Sequence, residues 1–230
     1  TFFRHITENT RMRVWYNRTF SSVYAAIELI RQADTEGRFT IIHSNANRHT
    51  PAARLAHEFH TEPTGLDSDA YVDWCLAFCR QHRIDIFVPG REATTLAAEH
   101  ARFADVKVRV LSAAPADMLK LVHDKARFYA ETVLPEAPVA EFRRFETLEQ
   151  FDAAWEALRP RHAKLCVKPS HGIYGQGFAI VDEGRSSAAL LLGGVEYHVG
   201  YDDLRRGLAT MGTFKTMLLM EFLDGPEYSV

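Results

Sequence analysis

Leu165-Cys166-Val167-Lys168-Pro169-Ser170-His171-Gly172-Ile173-Tyr174-Gly175-Gln176-Gly177-Phe178-Ala179-Ile180-Val181 joins an apolar, strand-like run carrying one lysine to a glycine-rich polar loop and a second apolar run. A strand holds Lys168 in a fixed direction, and the glycines let backbone N–H groups come close to an anion. Leu165 and Val167 on one side, with Phe178, Ile180 and Val181 on the other, read as a two-stranded hairpin. Such a hairpin can hang over a ligand and hold an ammonium against phosphate oxygens, which suits a nucleotide triphosphate. The same residues equally fit a solvated edge-strand lysine beside glycines that only make a turn.

Two further stretches flank this one. Upstream, Asp124 reads as a helix cap and Lys125 as the first helical residue. Taken alone, Lys125 is an ordinary solvated lysine. Downstream, residues 217–222 read as a strand leading into Leu223-Asp224-Gly225-Pro226-Glu227. Alone this is strand, turn and strand with an acidic character. As a site it is a hinge, where backbone groups meet a base edge and a carboxylate accepts ribose hydroxyls.

The first half alternates strand and helix patterns. Strands are expected at 13–16, 39–43, 84–88 and 106–111, with helices at 22–32, 51–58, 71–82 and 92–103. Strands separated by helices imply right-handed crossovers and a mostly parallel sheet covered on both faces. The rhythm changes from Pro115. Pro135 and Pro138 mark a linker, and Thr147-Leu148-Glu149-Gln150 has capping-box spacing before a helix with Leu148, Phe151, Trp155 and Leu158 on one stripe. Residues 184–215 are of mixed character. A dinucleotide fold would need Gly-x-Gly-x-x-Gly after the first strand, but Asn17-Arg18-Thr19-Phe20-Ser21-Ser22 has no glycine, so a nicotinamide or flavin enzyme is rejected.

Composition sets the outer bounds. The 230 residues are 47% hydrophobic and 25% charged, enough for one large domain or two small ones with proper cores. A net charge of −3 counts against a nucleic-acid partner bound through phosphate neutralisation. Cys75, Cys79 and Cys166 lack the spacing of a disulfide framework and point to a reducing compartment. No apolar run reaches membrane-spanning length and no signal peptide is visible, so the expectation is a cytoplasmic protein without a membrane partner. The chain starts on Thr1 rather than methionine, and its start is read as trimmed.

In order, Asp124-Lys125, Lys168-Pro169 with its glycine loop, and Glu221-x-Leu223-x-Gly225-x-Glu227 resemble the ATP-grasp superfamily, of the carbamoyl-phosphate synthetase and D-alanine ligase kind. Upstream, Ser44-Asn45 at the end of a strand, the helix before Ile84–Pro89, and Val110-Leu111-Ser112-Ala113 leading to Asp124-Lys125 look like the preATP-grasp domain. The resemblance covers nearly the whole chain. Each motif is loose, and their order and spacing are the specific part.

The resemblance implies an α/β architecture: a parallel-sheet, Rossmann-like preATP-grasp domain at 1–113, then an α+β ATP-grasp nucleotide-binding region at 114–230, incomplete at the C-terminus. It implies that Lys125 and Lys168 contact the α- and β-phosphates of ATP. Ser170, His171, Gly172, Gly175, Gln176 and Gly177 would form the lid, Glu221, Phe222 and Leu223 the adenine hinge, and Glu227 the ribose contact. Met220 departs from the carboxylate many members carry ahead of the hinge, and His171, Ile173 and Tyr174 are larger than usual in the lid. Magnesium-binding residues follow the hinge in this family, so no metal ligands are expected here. The implied parent enzyme uses ATP and Mg2+ to convert a small carboxylate to an acyl phosphate, which an amine or thiol then displaces. This chain alone is expected to be an inactive, truncated portion. The alternative is a non-catalytic nucleotide-binding or scaffold module with the same fold.

Other residues read more plainly. Cys75 and Cys79 lie at helical spacing on an apolar face and read as core. His49, His57 and His60 fit no common metal spacing and read as solvated or hydrogen-bonded. Arg205-Arg206 reads as a solvated helix face, and no nucleophile elbow or catalytic triad is evident.

Overall fold

The computed structural model describes residues 11–20, 22–133, 135–172, 175–192 and 197–226. The chain divides into two compact units, Thr1–Leu119 and Lys120–Val230.

The first unit holds β1 (Met12–Tyr16), α1 (Val23–Ala33), β2 (Phe39–Asn45), α2 (Ala52–Leu55), β3 (Glu58–Thr61), α3 (Ser68–Gln81), β4 (Ile86–Val88), α4 (Ala93–Ala98), α5 (His100–Asp105) and β5 (Arg109–Val110), and it runs into α6 (Ala116–His123). Its five strands are all parallel, in the order β3-β2-β1-β4-β5. Register explains why both faces are buried. Val14 pairs with Ile41 and Ile86, and this row packs with Ile27 of α1 and Ala52 of α2. Trp15 pairs with Ile42 and Phe87, and that row meets Tyr71, Cys75, Phe78 and Cys79 of α3 with Leu96 and Phe103.

The turn after β1 holds no room for a pyrophosphate. Asn17 is fully buried there, donating to the Tyr71 hydroxyl at 2.9 Å and to the Arg91 carbonyl at 3.1 Å, and accepting from the Gly90 amide at 2.6 Å. A Cβ on Gly90 would stand 2.2 Å from Thr19 Cβ, which is why glycine follows Pro89.

Three local expectations need correcting. Residues 51–58 are not one helix: α2 stops at Leu55, and Glu58–Thr61 is an edge strand too short and polar for its pattern to show. The helix expected over 92–103 is two, broken at Glu99. The strand expected over 106–111 is reduced to Arg109–Val110, because Lys107 turns through a positive φ of 63°.

The second unit holds α7 (Lys125–Glu131), β6 (Phe142–Phe145), α8 (Leu148–Leu158), β7 (Leu165–Pro169), β8 (Ala179–Asp182), α9 (Ser187–Leu192), β9 (His198–Gly200), α10 (Tyr201–Ala209) and β10 (Met217–Glu221). The mixed sheet runs β6-β10-β7-β8-β9, with β10 antiparallel to both neighbours, β7 and β8 an antiparallel hairpin, and β8 parallel to β9. Leu165, Val167, Val181 and Leu219 face α8, where Phe151, Trp155 and Leu158 of the expected stripe are joined by Ala154, with Leu148 packed against them, and Leu208 of α10 joins the cluster. Thr147 caps α8 by accepting from the Gln150 amide at 3.3 Å, while Gln150 Oε1 accepts from the Glu146 amide at 2.7 Å, one residue beyond the N-cap amide that a standard capping box uses. The opposite face carries Cys166, Met220, Ile180, Phe178, Phe142 and Tyr129.

Candidate functional site

Two positions on β7 and the first two turns of α7 bring the expected lysines together. Period-2 alternation puts Cys166 and Lys168 on the face opposite the α8 core. Lys125 and Tyr129 lie four residues apart on α7 and so share one of its faces. Lys168 Nζ donates to the Tyr129 hydroxyl at 2.8 Å and stands 4.7 Å from that ring's centroid. Lys125 Nζ donates to the Gly172 carbonyl at 2.6 Å and to the Ser170 carbonyl at 3.4 Å, while its own amide donates to the Ser170 carbonyl at 3.0 Å.

Ser170 ties the start of α7 to the end of β7. Its side chain is fully buried, donates to Asp124 Oδ1 and accepts from the Ala126 amide at 3.1 Å. Its amide donates to the Thr216 carbonyl at 2.8 Å. Asp124 caps α7 as expected, accepting from the Arg127 amide at 3.2 Å. The Ser170 hydroxyl, followed by the Arg127 amide, holds the Asp124 carboxyl below its usual range against the opposing effect of burial.

The two ammonium groups feel each other. Burial is the main cause of a lowered Lys125 pKa, the Lys168 charge adds to it, and Asp124 opposes both. Burial pushes the Cys166 thiol up to about 11, partly offset by Lys168. A pair of cations held this close attracts a multiply charged anion.

In the loop, Gly175 and Gly177 occupy positive φ angles of 68° and 75°. Gly172 and Gly177 press on Pro169, where an added Cβ would lie 3.0 Å from ring atoms in both cases. His171 and Gln176 are exposed. Ile173 and Tyr174, which the sequence reading placed in the lid, lie outside the described residues, as does Glu227.

At the end of β10, Glu221 pairs with Leu165. The Glu221 and Phe222 amides donate within the unit, to the Glu141 carbonyl at 2.9 Å and the Lys164 carbonyl at 3.0 Å. The Glu221 carboxylate lies 3.5 Å from His162 Nδ1, Phe222 packs toward Phe178 at 6.5 Å between centroids, and Leu223 is 66% exposed. Cys166, Ile180, Met220 and Phe222 pack on one face of the sheet, the face that also carries Lys168. A hollow of about 550 Å³ is lined among others by Lys164, Leu165, Ile180, Asp182, His198 and Phe222; Lys125 and Lys168 do not line it. Both lysines are half-buried.

Sequence reasoning passed over Tyr129, which orients Lys168, and the buried role of Ser170. The spacing from Lys125 to Tyr129 was a usable signal for the first. The second needed the tertiary contact with Asp124.

The chain has the α/β fold of the N-terminal part of ATP-grasp proteins. It is similar to an N5-carboxyaminoimidazole synthetase from Staphylococcus aureus, at 13% identity and a TM-score of 0.57 over 94% of this chain and 48% of that one. It is similar to the biotin carboxylase domain of the Hydrogenobacter thermophilus 2-oxoglutarate carboxylase, determined with MgADP, ADP and bicarbonate, at 15% identity and 0.55 over 94% and 45%. An L-amino acid ligase from Bacillus licheniformis matches at 14% identity and 0.56 over 95% and 46%. The chain thus spans a little under half of each of these three structures. No family profile and no curated protein matches the sequence.

Proposed function

We propose that the chain is the preATP-grasp domain and the nucleotide-binding start of an ATP-dependent ligase that joins a small carboxylate to an amine or thiol through an acyl phosphate. The observation that carries this reading is the pairing of Lys125 and Lys168 through one face of α7, beside the glycine loop. In the proposal Lys168 and Lys125 bind and orient the α- and β-phosphates of ATP, and neither acts as acid or base. The loop from Ser170 to Gly177 closes over the phosphates and excludes water. Glu221, Phe222 and Leu223 border the adenine, with the base met by carbonyl groups and by Leu223, since the first two amides are engaged within the sheet. Glu227 takes the ribose. Mg2+ would neutralise charge on the transferring phosphoryl group.

The domain division at 113/114, the cytoplasmic location and the absence of nucleic-acid and membrane partners are parts of the same proposal. Three buried free thiols support a reducing compartment. Calorimetric titration of this chain with ATP tests the reading. One weak site is expected, with affinity reduced about tenfold or more in both Lys168→Ala and Lys125→Ala. ATP binding unaffected by both variants, or none at millimolar nucleotide, overturns it. ATP binding by the full-length protein without ligation of any carboxylate assigns the non-catalytic module instead.

A further inference from the structure

Glu58 and His60 stand two residues apart on β3, so both side chains leave the same side of that edge strand. His82 follows the last residue of α3, where the chain reverses: its amide donates to the Phe78 carbonyl at 2.9 Å, and Arg83 takes a positive φ of 52°. One ligand atom from each of Glu58, His60 and His82 lies within 4.8 Å of the other two, and all three residues are half-buried. We propose that these residues form a binding site for one divalent transition-metal ion of the Zn2+ class.

The geometry is close to what such an ion needs. His60 Nε2 is 3.7 Å from Glu58 Oε2, and zinc bonds of about 2.0–2.2 Å put tetrahedral neighbours about 3.4 Å apart. Small side-chain rotations close the remaining gap to His82. Two imidazoles and a carboxylate are the ligand chemistry of zinc and its neighbours, whereas calcium and magnesium take oxygen sets. Three protein ligands leave the fourth position to water.

An ion-pair network alone does not account for the cluster. Arg13 of β1 satisfies Glu58, donating from Nη2 to Glu58 Oε2 at 2.7 Å. His60 Nε2, however, is shielded from solvent and has no hydrogen-bond partner among the described residues, a costly state for a buried polar atom. A metal ion on that lone pair removes the deficit. Arg13 also donates from Nε to the His82 carbonyl at 2.6 Å. One guanidinium thereby ties both ligand-bearing segments in place, as outer groups do around metal sites. Phe78 walls the cluster, 5.2 Å from His60 and 4.2 Å from His82 between centroids, with the two imidazoles 4.2 Å apart.

Titration of the purified chain with ZnCl2, after removal of metal by chelation, tests the site. One stoichiometric Zn2+ is expected, with Co2+ giving visible d–d bands of a low-coordinate N/O site. His60→Asn and His82→Asn should each weaken Zn2+ binding by at least about tenfold. The double variant should lose both the site and the cobalt bands, and His49→Asn should change neither. Circular dichroism and thermal melts of the metal-free variants confirm that they fold; should His60→Asn unfold, His82→Asn and Glu58→Gln carry the test. Stoichiometric Zn2+ binding that survives in the double variant, or none at the wild-type site, overturns the proposal.

Discussion

The ammonium of Lys168 meets one side chain, Tyr129, twice: the hydroxyl accepts from it at 2.8 Å, and the ring centroid lies 4.7 Å from it. The hydrogen bond sets direction, and the ring face adds cation–π attraction without neutralising the charge. Lys168 is therefore held in place by a neutral partner. A flexible lysine would have to be ordered when an anion binds, at a cost in side-chain entropy.

Tyr129→Phe separates these two contributions. It removes the hydroxyl and keeps the ring, so ATP affinity should fall by about three- to tenfold, the loss of roughly one hydrogen bond. Lys168→Ala should cost more, and the double variant should be no worse than Lys168→Ala alone, since Tyr129 acts only through the lysine. Calorimetric affinities for the four proteins form the cycle. Strictly additive losses would show that Tyr129 meets the nucleotide directly.

Ser170→Ala should destabilise the second unit by about 1–3 kcal/mol, because the buried Ala126 amide and the Asp124 carboxylate both lose a partner. Asp124 supplies an independent readout. Its folded pKa is lowered chiefly by the Ser170 hydroxyl, so its stabilising effect is present above the unfolded value and is lost as pH falls through the folded one. Without the hydroxyl the two values approach each other. The variant's stability should then depend less on pH across the acid range, as urea melts at several pH values will record.

The sequence made the site legible where local chemistry decides it. Asp124 caps α7 and Thr147 caps α8 as their spacing requires, and the β7–β8 hairpin falls where apolar alternation places it. Trp15, Ile42 and Phe87 were readable as strand core, but not that they form a single row, because register is a long-range property. β3, β6 and β9 escaped detection since each has only three or four residues and polar members such as Glu58, Arg143 and His198. Each is an edge strand of its sheet, where one side of the ladder is free and apolar alternation is not enforced. The cluster of Glu58, His60 and His82 lay hidden for the same reason. His57, which the sequence grouped with His60, accepts instead from the Ile41 amide at 2.9 Å through Nδ1.

The loop glycines should differ in tolerance. At Gly175 an added Cβ meets nothing within 4 Å, so Gly175→Ala carries only the left-handed backbone cost, about 1–2 kcal/mol. At Gly177 the same methyl also meets Pro169 Cδ at 3.0 Å, a rigid ring at the end of β7. Gly177→Ala should therefore shift Pro169 and, through it, Lys168. Its ATP affinity should fall further than that of Gly175→Ala, with a lower melting temperature as well. Equal affinities in the two variants would show that the loop's position does not reach Lys168.

ATP binding should weaken at alkaline pH earlier than an ordinary lysine would dictate. The Lys125 pKa is lowered by burial and then by the Lys168 charge, so the free protein gives up this proton at a pH below the usual lysine range. A bound phosphate favours the ammonium and raises the value again. Binding in that window therefore takes up a proton, and affinity declines as pH rises through the lowered value. Lys168→Met removes the neighbouring charge, leaving burial as the remaining cause, so the decline in that variant should move to higher pH even though its affinity is lower throughout. Titrations in buffers of different ionisation enthalpy measure the proton uptake directly. An alkaline profile that Lys168→Met leaves unmoved would mean that the two ammonium groups do not share one anion.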